Sequence, residues 1–169
     1  MTLPARQPAR QASFAATAEE HLDDVYAYLV YLTRDRSLAE DLAADTFEKA
    51  LRLWKRFDPR RASARTWLCQ IARTTALDWF RAEERRRRRE ERAADQDRIE
   101  APIAEGLSPE LESALRGLSA GEREVIALRI LLELDGEEAA RVLGISPTAV
   151  STRLSRALTK LEEKVTVHV

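Results

Sequence analysis

The stretch LDGEEAARVLGISPTAVSTRLSRALTKL, residues 134–161, decides the fold, because it spells two helices and the turn between them. Asp135 stands three residues before Glu138, the spacing of a capping box in which each side chain satisfies an otherwise unpaired backbone N–H. Ala139, Ala140 and Leu143 then form one apolar face. Gly144 follows at once, and glycine is the residue best able to leave a helix through positive φ. Ser146 and Pro147 open the next helix as cap and first-turn proline, since the N–H that proline lacks would be unpaired there anyway. Val150, Leu154, Ala157, Leu158 and Leu161 recur at helical spacing, while Ser151, Thr152, Arg153, Arg156 and Lys160 lie largely off that stripe. Such a pair is a helix-turn-helix, whose second helix enters the DNA major groove with Arg and hydroxyl side chains toward base edges and phosphates. A packed helical hairpin with a merely solvated charged face has the same periodicity. The glycine turn, the Ser-Pro start and the basic spacing favour the DNA reading.

The surrounding chain has 169 residues, enough for one ordinary domain or two small ones. Charged residues make up 34% and aromatics 6%, which suits helices with thin cores and much solvated surface. No apolar run reaches the length of a membrane span, and the N-terminal MTLPARQPARQ has no apolar segment behind its basic residues. Neither a secretory signal nor membrane insertion is therefore expected, and the cytoplasm is the expected compartment. Cys69 stands alone among Trp67, Leu68, Ile71 and Ala72, which reads as a buried small hydrophobe. With two histidines, His21 and His168, no metal site of zinc type is expected. No phosphate loop, nucleophile set or paired-carboxylate constellation stands out, so neither an enzyme nor a cofactor is expected.

The net charge of −1 hides a division. Residues 15–48 carry nine acids against Arg34 and Arg36, and residues 49–81 carry nine bases against Asp58 and Asp78. Two partners of opposite character are implied, with the basic half the candidate for nucleic acid.

In chain order, residues 1–14 have no periodicity and are expected to be a disordered tail. Thr17 with Glu20 and Ser37 with Glu40 have capping-box spacing and are expected to open two helices that pack on each other. Phe57 to Ser63 break the second of these at Asp58-Pro59. A third helix begins near Ser63 or Ala64 with Trp67, Leu68, Ile71, Ala72, Thr75 and Trp79 inward, so Trp67 and Trp79 are expected in the core. Residues 84–106 hold seven bases and seven acids, including Arg85 to Arg89, and read as a charged flexible linker whose first part extends the helix. The arginine run is open to three readings, a solvated helix end, a phosphate-binding patch and, less favoured, a nuclear address. Ser108-Pro109 and Ser119 with Glu122 then start the helices of a second domain. The fold class is all-α, with domains at 15–83 and 107–169.

Three segments beyond the opening one bear on function: AEDLAADTFEKA at 39–50, RTWLCQIAR at 65–73 followed by Asp78 and Arg81, and residues 118–129. Together with 144–157 they resemble, in order and spacing, the extracytoplasmic-function (ECF) sigma factors of bacterial RNA polymerase, group IV of the sigma-70 family. The resemblance implies a region 2-like domain and a region 4-like helix-turn-helix domain on one specificity subunit. It implies that the first segment docks on the beta-prime clamp helices of the polymerase core through Asp41, Leu42, Asp45, Phe47 and Glu48. Phe47 suits a partner pocket or the internal core equally. It implies that the second segment melts and holds the promoter −10 element, with Arg60, Arg61, Ser63, Arg65, Thr66, Arg73 and Arg81. It implies a −35 reader carrying Ser146, Thr148, Ser151, Thr152, Arg153, Arg156 and Lys160. The partners implied are RNA polymerase core, including the beta flap, promoter DNA and an anti-sigma factor.

Several positions depart from the family pattern, among them Thr74, Ala149 and Ser151, and Ala139 where Ile is usual. Thr74 stands where Asn is usual, and a hydroxyl replaces one amide hydrogen bond but not a bidentate pair. Ala149 and Ser151 stand where the recognition helix commonly has Thr and Lys, which leaves Arg153 and Arg156 as the strongest cations there. The expected function is promoter-specific transcription initiation; the alternative is a stand-alone helix-turn-helix regulator whose first domain dimerises or senses a signal.

Overall fold

A computed structural model describes residues 6–90 and 108–166, with side chains for 13–90 and 108–164. The first domain consists of α1 (Arg6–Thr33), α2 (Arg36–Leu53), a 3-10 turn (Trp54–Arg56) and α3 (Ala64–Glu90). The second consists of α4 (Pro109–Arg116), α5 (Ala120–Ile126), a π-helical turn (Ala127–Leu131), α6 (Gly136–Leu143) and α7 (Pro147–Thr166). Among the described residues there is no strand, and the fold is all-α.

In the first domain α1, α2 and α3 pack on one another through Val25, Tyr28, Leu29, Leu42 and Leu68, all at most 2% exposed. Each such side chain contributes about 1.5–3 kcal/mol of burial. Ala39, Ala43, Ala50, Ala72 and Ala76 line the same contacts and let the helices approach closely. Cys69 is a free, fully buried thiol among them. Arg34 turns the chain at φ 54, and Asp35 caps α2 by accepting from Leu38 N–H at 3.0 Å. Asp35 thus takes the place expected of Ser37, because the reversal at Arg34 brings its carboxylate to the first turn.

The N-terminal boundary also differs from expectation. Residues 6–14, expected as a tail, belong to α1, and Thr17 is an interior residue whose hydroxyl donates to Ser13 C=O at 2.9 Å. Pro8 falls in the first turn, where backbone N–H groups have no intrahelical partner. Phe14 anchors the extension, edge-on to Trp54 at 5.3 Å between centroids. Trp54 in turn stacks on Phe57 at 4.9 Å and tilts against Trp67 at 5.8 Å. Trp67 and Trp79 are partly buried against the core.

The second domain is set by its caps. Ser108 accepts from Leu111 N–H, and the Ser119/Glu122 and Asp135/Glu138 pairs form complete capping boxes. Gly144 ends α6 at φ 66, and Ser146 accepts from Ala149 N–H at 3.1 Å to start α7. The helix expected through Leu132 instead widens at Ala127 into the π turn, where Leu132 N–H reaches Ala127 C=O at 2.9 Å. Arg129 holds the exit by donating to Leu134 C=O.

α3 runs on through the arginine run to Glu90. Arg86 pairs with Glu83, and Arg87 and Arg88 pair with Glu84, one helical turn apart. Arg85 to Arg89 are thus exposed on a helix end, with Arg86, Arg87 and Arg88 paired to its own glutamates. The rest of the expected linker, residues 91–106, lies outside the described residues. The two domains touch: α6 packs on α3, and α5 with the π turn packs on α1.

Candidate nucleic-acid interface

α6 and α7 meet at the left-handed Gly144, and the angle between them is fixed by the buried faces Ala139, Ala140, Leu143, Val150 and Ala157. The outward side of α7 then borders an open cleft of about 490 Å³, lined by Ser119, Glu122, Ser146, Thr148, Ala149, Thr152, Arg153 and Arg156. Ser151, Thr152 and Arg156 are exposed, and Arg153 is half-buried. One Arg153 guanidinium nitrogen lies 3.1 Å from where a Gly121 Cβ would stand, so the missing side chain makes room for it. Lys160 donates to Glu122 at 2.6 Å. The same carboxylate accepts from Ser119 N–H at 2.8 Å. The Lys160 bond, then the Ser119 backbone, hold the Glu122 carboxyl below its usual range.

The basic side of the first domain divides in two. Arg60 and Arg61 stand exposed on the loop before α3, and Arg60 grips Asp58 through two bonds of 3.1 Å. That grip lowers the Asp58 carboxyl. Arg81 is exposed lower on α3, 3.4 Å from Asp78. Arg65 lies against Asp24 at 3.6 Å. Ser63, Thr66 and Arg73 share the face of α3 that meets the second domain. Ser63 accepts from Thr66 N–H at 3.1 Å, the N-cap bond of α3, and both hydroxyls reach Glu138, at 3.2 and 3.1 Å. Arg73 donates to Glu124 through Nε at 2.7 Å and Nη2 at 3.4 Å. Tyr28 donates to the same carboxylate at 2.8 Å. Burial, then the Glu124 charge, push the Tyr28 hydroxyl well above its ordinary value. Gln70 completes the contact with a bond to Arg141 C=O at 3.1 Å.

Between α2 and α3 lies a second cavity of about 210 Å³, lined by Lys49, Leu53, Trp67, Gln70, Ile71, Thr74 and Thr75. Thr74 is exposed there, its hydroxyl donating to Gln70 C=O at 2.9 Å.

On α2, Asp41, Asp45 and Glu48 are exposed, with Glu48 paired to Arg52 at 2.8 Å. Leu42, expected on that docking face, is 2% exposed. Its neighbours Ala39 and Ala43 belong to the inward stripe and take it into the core. Phe47 is half-buried and packs against the core from the edge.

Tyr28, Gln70, Glu124 and Glu138 are contact residues that helical period and cap spacing do not mark. Glu124 had one visible signal, a carboxylate directly before the buried run Val125, Ile126, Ala127 and Leu128.

Residues 17–86 match the family model for Sigma-70 region 2, and residues 108–161 match that for Sigma-70, region 4. ECF RNA polymerase sigma factor SigC of Mycobacterium tuberculosis (strain CDC 1551 / Oshkosh) is 36% identical over 139 residues, 79% of this chain and 73% of that protein. The chain belongs to the ECF RNA polymerase sigma factors. ECF RNA polymerase sigma factor SigX of Bacillus subtilis (strain 168) is 29% identical over 163 residues, covering 90% of this sigma factor and 84% of its own length. The sigma factor RpoE of Bartonella quintana, solved in complex with the anti-sigma factor NepR, superposes with a TM-score of 0.78 at 26% identity, covering 92% of this chain and 98% of that one. As an ECF sigma factor the chain directs promoter-specific transcription. Among the described residues, no helix is long and apolar enough to cross a membrane.

Proposed function

We propose that this sigma factor works in the cytoplasm as a non-catalytic subunit whose two domains divide the promoter between them. The first domain binds RNA polymerase core with Asp41, Asp45 and Glu48 of α2, charges that orient a basic protein surface, with Phe47 at their edge and Leu42 as internal support. Its loop and α3 hold the −10 strand with Arg60, Arg61, Ser63, Arg65, Thr66, Arg73 and Arg81. The second domain reads the −35 duplex with α7, through Ser146, Thr148, Ser151, Thr152, Arg153 and Arg156. Lys160 sets the pose of α7 through Glu122. An anti-sigma factor is the third partner, by likeness to the RpoE that was solved with NepR.

The observation that carries the reading is the cleft along α7. It brings Arg153, Arg156 and the hydroxyls of Thr148 and Thr152 to one open face above a capped, rigid turn. Cations give affinity there, and groups on a fixed helix give register.

The deciding experiment is transcription in vitro with purified core polymerase and genomic promoter fragments. Initiation that requires this chain supports the reading. DNA binding with no affinity for core would replace it with the stand-alone regulator.

A further inference from the structure

Arg153, Ala157, Lys160 and Lys164 lie on one side of α7, the side that Ala157 buries. All three cations meet the stretch from the end of α4 to the start of α5. Lys160 donates to Glu122, Lys164 Nζ fills the space that a Cβ on Gly117 would take, and Arg153 lies over Gly121. Ser151, Thr152 and Arg156 stand exposed on the rest of the helix, whereas Arg153 is half-buried. The first cation of α7 therefore starts toward its own domain and reaches the cleft across α5.

Room for that path comes from Gly121. Arg153 Nη1, Cζ and Cδ stand 3.1, 3.5 and 3.7 Å from the position of a Cβ on Gly121, so the outer half of the side chain lies along that residue. Nothing in the backbone asks for glycine there: Gly121 is inside α5 with no positive φ, and a side chain at such a position ordinarily favours a helix. Among the described residues no hydrogen bond or ion pair fixes the Arg153 guanidinium, and the Glu122 carboxylate of the same cleft is taken by Lys160 and the Ser119 N–H. Packing alone sets its direction, and its donors stay available to a partner.

We propose that Gly121, outside the helix that enters the groove, is a positioning residue for −35 recognition: it lets Arg153 lie across α5 and so fixes which base edge the guanidinium meets. The inference rests on α7 being the −35 reader. A guanidinium confined to one lane brings its rigid fork of donors to one place in the groove, where a bidentate pair distinguishes one base from the others. A side chain at position 121 lifts the guanidinium off α5 and aims it elsewhere. Promoter preference is then set partly from α5, by a residue that touches no DNA.

The test uses the full chain assembled with core polymerase. The holoenzyme selects from duplexes that share the −10 region of a genomic promoter it transcribes and carry a randomised −35 region, and sequencing of the bound fraction gives the base preference at each position. Gly121→Ala and Gly121→Leu crowd Arg153 to increasing degree, and Gly117→Ala crowds Lys164 instead, as a control. Thermal melts check that each variant is folded, and Gly121→Ala decides if the larger residue unfolds the domain. The expected result for Gly121→Leu is a changed preference confined to adjacent base pairs, with a loss on the order of tenfold on the sequence that the wild type prefers. Gly121→Ala should shift the same positions less, Gly117→Ala should shift none, and Gly121→Leu should add nothing to Arg153→Ala. The same shift from Gly117→Ala would place the effect in the packing of α7 and overturn the proposal, as would a uniform loss on every duplex, which means that Arg153 meets phosphate only. Arg153→Ala changing the preference while both Gly121 variants do not overturns the role of Gly121 and keeps α7 as the reader. Arg153→Ala without effect removes Arg153 from the reading face, and the proposal falls at its premise.

Discussion

Lys160 on α7 and Glu122 on α5 meet at 2.6 Å, and Glu122 is also the carboxylate that closes the α5 capping box. One side chain therefore ties the start of α5 to the reading helix one turn beyond Arg156. The pose of Arg153 and Arg156 in the cleft depends on a bond made behind them.

The Glu122 carboxyl is held below its usual range by Lys160 and by the Ser119 backbone, so its stabilisation has a definite pH window. A lowered folded value means that the contribution is present above the unfolded carboxyl value near ~4.3 and is lost as pH falls through the lower folded value. Glu122→Gln is expected to cost about 1 kcal/mol at neutral pH and almost nothing in strong acid. Urea denaturation of wild type and variant at the two pH values measures the difference.

Gly144 adopts φ 66 and ψ 33, and a Cβ built there meets nothing within 4 Å. The cost of Gly144→Ala is thus backbone strain alone, about 1 kcal/mol, with a melting temperature lower by roughly 4 °C. Gly144→Asn should lose less, since Asn tolerates the left-handed region. Thermal melts followed by circular dichroism rank the three proteins.

Cys69 is fully buried, and burial pushes its thiol up to about 12. A disulfide reagent at pH 8 should leave it untouched in the native protein and modify it completely in denaturant. Reaction in the folded protein as fast as in denaturant would contradict that burial.

Asp41→Lys with Asp45→Lys reverses two exposed charges without disturbing the packing beneath them. Affinity for polymerase core should fall on the order of tenfold, through slower association, while the melting temperature stays put. Surface plasmon resonance against immobilised core reads both rate constants.

Arg153→Ala and Arg156→Ala should weaken binding to a promoter duplex, and each cation withdrawn from a phosphate should lower the slope of log affinity against log salt by about 1. Anisotropy titrations over a salt series supply the slope. An arginine that reads a base would instead, on removal, lower affinity for the cognate duplex and spare a random one.

The second domain was legible because its punctuation is local. Ser108, Ser119 with Glu122, Asp135 with Glu138 and Gly144 each act within four residues, so spacing alone locates them. Asp35 displaced Ser37 as a cap because the choice rests on the turn at Arg34, a backbone conformation with no residue signature. The start of α1 depends on Phe14 finding Trp54, forty positions later. The contact between domains was the least visible. Tyr28 and Glu124, or Thr66 and Glu138, are polar residues whose partners lie in another domain, and neither period nor cap spacing encodes such a pairing. The acidic and basic halves of the first domain were plain from composition, yet composition did not show that part of the basic half already faces acid.

The cluster of Phe14, Trp54, Phe57 and Trp67 sits where the chain leaves α2 for the loop that carries Arg60 and Arg61. Two of the protein's three tryptophans thus lie against Phe57, the first residue of that loop, Trp54 stacked on it and Trp67 tilted to it. On the proposed −10 role of that loop, taking up a DNA strand is expected to move Phe57 and change the emission of Trp54 and Trp67, which fluorescence of the protein with added single-stranded DNA measures.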